Sequence, residues 1–242
     1  VGALGNPELM EDILARGKAD MVALGRPLLA DPELPNKLKA GREDEIYPCL
    51  RCMACISESF VPYVKYPSRI RRCPANPTAY KEVPASRVTA AREPKWVLVI
   101  GGGPAGMEAA AVLAERGHQV TLCEQEAQLG GALRHARYVP FKKKVDQLMG
   151  VMIRRLERSG AEIRLNTRAT PELAQALGPD VIVAALGSRP KQPDVSGTLI
   201  PALEALRDPE RLGQRVVIVG GGLVGCELAL QLAQTGRQVT VV

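Results

Sequence analysis

The sequence predicts an α/β protein, and three observations carry that class. Residues 97–124 (VLVIGGGPAGMEAAAVLAERGHQVTLCE) and 216–242 (VVIVGGGLVGCELALQLAQTGRQVTVV) repeat one another without a gap, each reading as strand, glycine turn, helix and second strand. Near the other end, a helical pattern over residues 6–17 leads into an apolar run at 19–24 (ADMVAL) that reads as a strand, closed by a glycine turn. Between these lies an aperiodic stretch, residues 41–94, rich in proline and arginine and holding four of the six cysteines.

In chain order, Leu9, Met10, Ile13 and Leu14 recur at helical spacing, and Gly17 supplies the stop. The run at 19–24 is followed at once by Gly25, Arg26 and Pro27. An irregular segment as long as 41–94 needs something other than a core to hold it. The two glycine units are joined by a stretch with strands of its own, clearest at 161–166 and 180–186.

Length and composition narrow the function classes. A chain of 242 residues exceeds one average domain, so two or more folding units are expected. At 46% hydrophobic and 24% charged it is ordinary globular material, which excludes disorder and low complexity. Only 3% of residues are aromatic, too few for base stacking on nucleic acid. The net charge of +6 is local, since residues 65–95 hold eight Lys/Arg and two Asp/Glu. No apolar run approaches the roughly 20 residues of a membrane span, and no secretory leader is seen. A soluble, cytoplasmic protein with neither membrane nor nucleic-acid partner is therefore expected. Val1 in place of Met, and a final strand with nothing after it, suggest a piece of a longer protein.

The duplicated glycines specify a chemistry. Gly101 and Gly220 permit a tight turn, Gly103 and Gly222 let backbone N–H groups approach a pyrophosphate, and Gly106 and Gly225 let the helix close on the strand. The helix N-terminus then offers unpaired N–H groups and partial positive charge to the anion. Glu124 ends the second strand of the first unit, where a carboxylate can accept from a ribose hydroxyl; the equivalent position of the second unit lies beyond residue 242. One such motif is weak evidence, but two in this context are strong. A flavin paired with a nicotinamide is the natural use of two dinucleotide sites.

The cysteines carry a second signal. Cys49, Cys52 and Cys55 are spaced C-x2-C-x2-C, and Cys73 stands directly before Pro74. Zinc sites usually take two separated pairs, whereas three close thiolates with a remote fourth before proline resemble bacterial 4Fe-4S ligation. Zinc and unliganded thiols are the alternatives. Arg51, Arg69, Arg71 and Arg72 either offset the cluster's negative charge or form a solvated surface. Cys123 and Cys226 read as packing residues, and Lys142–Lys144, Arg154, Arg155 and Arg158 as solvated helix faces unless an anionic partner meets them. Of the two histidines, His118 falls in an exposed turn, and His135 follows the Gly130-Gly131 loop, where it could lie near a flavin.

Taken together, residues 24–45 (LGRPLLADPELPNKLKAGREDE), CLRCMACISE, RRCPANP and the tandem glycine motifs resemble the NADH:flavin oxidoreductase / 2,4-dienoyl-CoA reductase / 2-enoate reductase family, to which trimethylamine dehydrogenase is also similar. The resemblance implies the C-terminal remnant of a TIM barrel that binds FMN (residues 1–40), a Cys-rich iron-sulfur segment (41–94), and tandem Rossmann-like units for FAD (95–212) and NAD(P) (213–242). By the same resemblance, Gly2, Gly25 and Arg26 belong to loops holding the FMN phosphate, and Cys49, Cys52, Cys55 and Cys73 are the 4Fe-4S ligands. Gly101, Gly103, Gly106, Glu124, Gly130 and Gly131 belong to the FAD site, Gly187 is a cofactor-binding residue in the short motif (LGSRP, 186–190) where the chain crosses between the nucleotide domains, and Gly220, Gly222, Gly225 and Glu227 belong to the NAD(P) site.

The activity implied is electron flow from NAD(P)H through FAD, the cluster and FMN to an activated carbon-carbon double bond in a small-molecule substrate. The barrel acid would lie before Val1, so no catalytic residue is named. This chain alone is expected to bind FAD without turnover, and a homo-oligomer of the longer protein stays open. The rival classes are an amine dehydrogenase and a non-enzymatic electron-transfer or zinc module; intact glycines at 220, 222 and 225 speak against a decayed nucleotide site.

Overall fold

The computed structural model describes residues 4–57, 72–82, 89–190, 197 and 199–242. The N-terminal stretch carries three helices, α1 (Pro7–Ala15), α2 (Arg26–Ala30) and α3 (Leu34–Lys39), and the cysteine segment adds the short α4 (Ala54–Ser57). Asn6 caps α1 by accepting from the Leu9 N–H at 2.7 Å, and Pro7 sets the first helical φ. The expected strand at 19–24 is not formed. No described strand lies beside it to pair its N–H and C=O groups, and Met21 is 80% exposed.

The first glycine unit opens with β1 (Trp96–Ile100), α5 (Pro104–Glu115) and β2 (Gln119–Cys123). After α6 (Leu133–Ala136) and α7 (Lys143–Arg158) come β3 (Glu162–Arg164), α8 (Pro171–Leu177) and β4 (Val181–Ala184). The strands form one parallel sheet in the order β3-β2-β1-β4. The strands at 161–166 and 180–186 thus exist but are shorter than the sequence suggests.

WVLVI does not alternate because both faces of the sheet are covered. Val97, Val99, Val120 and Leu122 pack under Met107, Ala110 and Ala111 of α5 and Leu156 of α7, while Leu98 and Cys123 face Ala174 of α8 on the other side. Leu156 is fully buried. Leu156→Ala is expected to cost about 2–5 kcal/mol by lost burial and the cavity left behind, read as a lower urea midpoint at unchanged slope.

The second unit repeats the plan with β5 (Arg215–Ile218), α10 (Leu223–Gln234) and β6 (Gln238–Val241), a parallel pair. Its core joins Ile218, Leu228 and Leu232 to Ala205 and Leu206 of α9 (Ala202–Arg207) and to Val139 from the loop before α7. No helix of the described residues is long and apolar enough to cross a membrane.

Candidate functional site

The first glycine turn is built by contacts that admit no side chain. Gly101 has φ +107°, and a Cβ there would overlap the Ala185 carbonyl oxygen at the end of β4. A Cβ on Gly106 would overlap the Gly101 carbonyl oxygen, so α5 starts against its own turn. Gly103 caps α5 with extended backbone (φ −74°, ψ −179°) and no side-chain cap, leaving first-turn N–H groups available at an open end. Gly131 (φ +50°) approaches so closely that its Cβ would stand 2.9 Å from the Gly103 Cα, and the Gly130 N–H donates to the Gly102 oxygen at 2.8 Å. The two loops expected at the flavin therefore form one surface.

Glu124 closes this surface at 7% exposure. Its Oε2 accepts from the Gly102 N–H at 2.6 Å and its Oε1 from the Glu126 N–H at 2.8 Å. The carboxylate is thus oriented by the turn itself and keeps lone pairs for a further hydroxyl. Gly187 (φ +69°) follows Leu186, which is largely exposed at the sheet edge. The open helix end, the backbone cradle and the oriented carboxylate fit a dinucleotide.

The second unit reproduces the geometry. Gly222 caps α10 at the same φ −74° and ψ −179°, and a Cβ on Gly225 would overlap the Gly220 carbonyl oxygen. Glu227 meets Lys142 at 2.6 Å, so a lysine expected on a solvated face instead ties the loop before α7 to α10. Cys226, expected to pack, is exposed, its Sγ donating to the Gly221 oxygen at 3.3 Å. Cys123 is buried in β2 as expected.

Cys49, Cys52, Cys55 and Cys73 line one tight pocket together with Arg26, Leu29, Leu50, Met53, Pro74 and Ala75, with a cavity volume of about 10 Å³. Among the described residues, no group of three or more His, Cys, Asp or Glu converges on a single-ion position. A four-thiol donor set around one mainly apolar space fits a multi-iron cluster, whose ligands bind different corners. Burial pushes the Cys73 thiol up; the N–H groups of Ala75 and Asn76 pull it down, and nearby Cys49 and Cys52 push it up again. Without a cluster, Cys73 is expected to be alkylated more slowly than exposed Cys52, its reaction rising at higher pH than a free thiol's, as mass spectrometry would show.

Two buried polar residues that sequence reasoning passed over brace the segment. Asp31 Oδ2 accepts from Lys37 Nζ at 2.7 Å and from the Tyr47 N–H at 2.9 Å, fixing the approach to Cys49. Asn76 Nδ2 donates to the Leu29 oxygen of α2 at 2.9 Å, and its Oδ1 accepts from the Thr78 N–H, fixing the turn after Cys73. Asp31-Pro32 and Asn76-Pro77 are turn-initiating pairs, which was the available signal.

Gly25 and Arg26 stand at the start of α2 beside a separate cavity of about 270 Å³, and Arg26 Nη1 donates to Met53 Sδ at 2.7 Å. Arg26 and Cys49 border both this cavity and the four-cysteine space. Gly2, Arg69 and Arg71 lie outside the described residues. His118 is half-buried, its Nδ1 accepting from the Lys95 N–H at 3.1 Å, a structural turn. His135 sits in α6 with a buried Nδ1 that has no partner among the described residues.

Residues 95–242 match the pyridine nucleotide-disulphide oxidoreductase family, and residues 1–45 match the NADH:flavin oxidoreductase / NADH oxidase family. Over 251 aligned positions the chain is 41% identical to an NADH oxidase of Thermoanaerobacter brockii, covering all of this chain and 38% of that protein. A cinnamate reductase of Clostridium sporogenes is 39% identical, again over the whole chain and 36% of the relative. Among solved structures, a 2-naphthoyl-CoA reductase superposes with a TM-score of 0.85 at 32% identity, over 98% of this chain and 36% of its own. The chain thus spans little more than a third of the length of these relatives. Through residues 95–242 the chain belongs to the pyridine nucleotide-disulphide oxidoreductase family, and its residues 1–45 are similar to the NADH:flavin oxidoreductase / NADH oxidase family.

Proposed function

We propose that this chain is the redox-wiring part of an NAD(P)H-dependent flavin and iron-sulfur reductase whose substrate is an activated carbon-carbon double bond. The observation that carries the reading is the gathering of Cys49, Cys52, Cys55 and Cys73 on one cavity, although Cys73 is far from the others in sequence. When bound, FAD would supply a hydride acceptor, FMN a carrier of reducing equivalents and a 4Fe-4S cluster one-electron chemistry.

The chain's own residues bind and orient. Gly101, Gly103 and Gly106 bring the α5 N-terminus to the pyrophosphate, and Glu124, held by the Gly102 N–H, accepts from the ribose. Gly131, packed against Gly103, and Gly130 beside it offer backbone on which a flat ring can rest, and Gly187 would contribute from the end of β4. Gly220, Gly222 and Gly225 do for the nicotinamide nucleotide what the first set does for FAD. Gly25 and Arg26 would meet the FMN phosphate together with Gly2, and Arg26's planar fork suits that anion better than lysine. The proposed divisions are 1–40, 41–94, 95–212 and 213–242. Double-bond substrates are favoured because relatives carry the names cinnamate reductase and 2-naphthoyl-CoA reductase.

The test is anaerobic mixing of the full-length protein with NADH or NADPH, followed by a cinnamate-type acid. Bleaching of the flavin by nicotinamide and its return on addition of the acid are expected. A flavin bleached by an amine but by neither nicotinamide would assign the chain to the amine dehydrogenases instead.

A further inference from the structure

We propose that Arg155 is a positioning residue that locks the four-cysteine segment to the flavin-loop unit, with α7 as their shared wall. The proposal rests on the reading above and adds to it how the two sites are held at one separation.

Two independent sets of contacts meet on this helix. The first is apolar. Leu148 and Met152 pack in the same cluster as Cys49 and Cys73, while Met149, the next residue, lies under Gly130, where a Cβ would overlap its Sδ. One turn of α7 thus touches the cysteine segment on one side and the flavin loop on the other. The second set is ionic. Arg155 lies seven residues after Leu148, two turns along the same face. Its Nε and Nη2 donate to both oxygens of Glu115 at 2.8 and 2.9 Å, and its Nη1 donates to Glu108 at 2.9 Å and to the Tyr47 hydroxyl at 3.4 Å. Glu108 and Glu115 belong to α5, whose N-terminus faces the dinucleotide, and Tyr47 stands two residues before Cys49.

Arg154 and Arg158 extend the same seam onto the cysteine segment's leading edge. Arg154 Nη2 donates to the Asp44 oxygen at 2.6 Å, and Arg158 meets Asp44 at 2.9 Å and Glu45 at 2.6 Å. These pairs are exposed and weak singly. Arg155 differs, being 30% exposed and bonding Glu115, Glu108 and Tyr47 at once. A lysine ammonium cannot reproduce that planar fork. Electron transfer between two groups weakens steeply with separation, so a part that fixes their spacing acts on rate without touching either group.

The experiment uses the full-length protein, purified anaerobically, with Arg155→Gln, Arg155→Lys and, in case neither folds, Glu115→Gln and Tyr47→Phe. Iron, sulfide and flavin per chain, the cluster's midpoint potential, amide exchange over residues 44–50 and the rate of cluster reduction after NAD(P)H addition are measured. Both Arg155 variants are expected to keep cofactor content and potential while exchange at 44–50 rises about tenfold, the scale of one lost charge-assisted hydrogen bond. Cluster reduction should slow on the order of tenfold as well, as small misplacements do. Wild-type exchange and wild-type reduction rate in a fully loaded variant would overturn the proposal. A wild-type protein without cluster would overturn the underlying reading instead, and exchange at 44–50 would still judge the clamp.

Discussion

Gly106→Ala should leave the chain without FAD. Its new methyl would have to share space with the Gly101 carbonyl oxygen, a backbone atom that cannot swing aside as a side chain would. Relief requires α5 to move off β1, which withdraws the first-turn N–H groups from the pyrophosphate and opens the packing of Met107 and Ala110 on the sheet. The cost of such overpacking is about 1–3 kcal/mol in stability, but the loss of bound flavin is expected to be nearly complete because the anion site itself is displaced. Gly225→Ala meets the Gly220 oxygen in the same way and should abolish bleaching by NAD(P)H while the protein stays yellow. Gly213→Ala, with nothing within 4 Å of the new methyl, is the neutral control. Flavin absorbance per chain after desalting, followed by its bleaching on addition of NAD(P)H, distinguishes the three.

The second large effect is expected at the cysteines. Alanine at any one of Cys49, Cys52, Cys55 or Cys73 removes a thiolate from a space with no further thiol among its described lining residues. Iron and sulfide should fall together toward zero. The segment should also loosen, since its own apolar anchor is small: Ala30, Ala75 and Leu148 are the buried residues of that cluster. Cys226→Ala, at an exposed thiol in the other unit, should change neither quantity.

What could be read from the sequence divides by the range of the interaction responsible. Both glycine turns were legible because turn, strand and helix are neighbours in the chain, and their steric need for glycine is local. The α1 helix was legible for the same reason, with Asn6 and Gly17 marking its ends. The run at 19–24 has strand composition, yet a strand exists only beside a partner, and no described strand lies alongside.

The arginines of α7 show the opposite limit. Their spacing reads as a wet face, but Asp44, Glu45 and Tyr47 arrive from more than a hundred positions earlier to meet them. Lys142 and Glu227 are a similar case, 85 positions apart. Asp31 and Asn76 were passed over because an Asx-Pro pair announces a turn and says nothing of what the turn will hold.

One analysis bears most directly on the account: iron and acid-labile sulfide in the wild-type chain made and purified without oxygen, with electron paramagnetic resonance after dithionite reduction. About four iron and four sulfide per chain, with a paramagnetic signal on reduction, are predicted for a cluster on Cys49, Cys52, Cys55 and Cys73. One zinc per chain, without sulfide or signal, would contradict it.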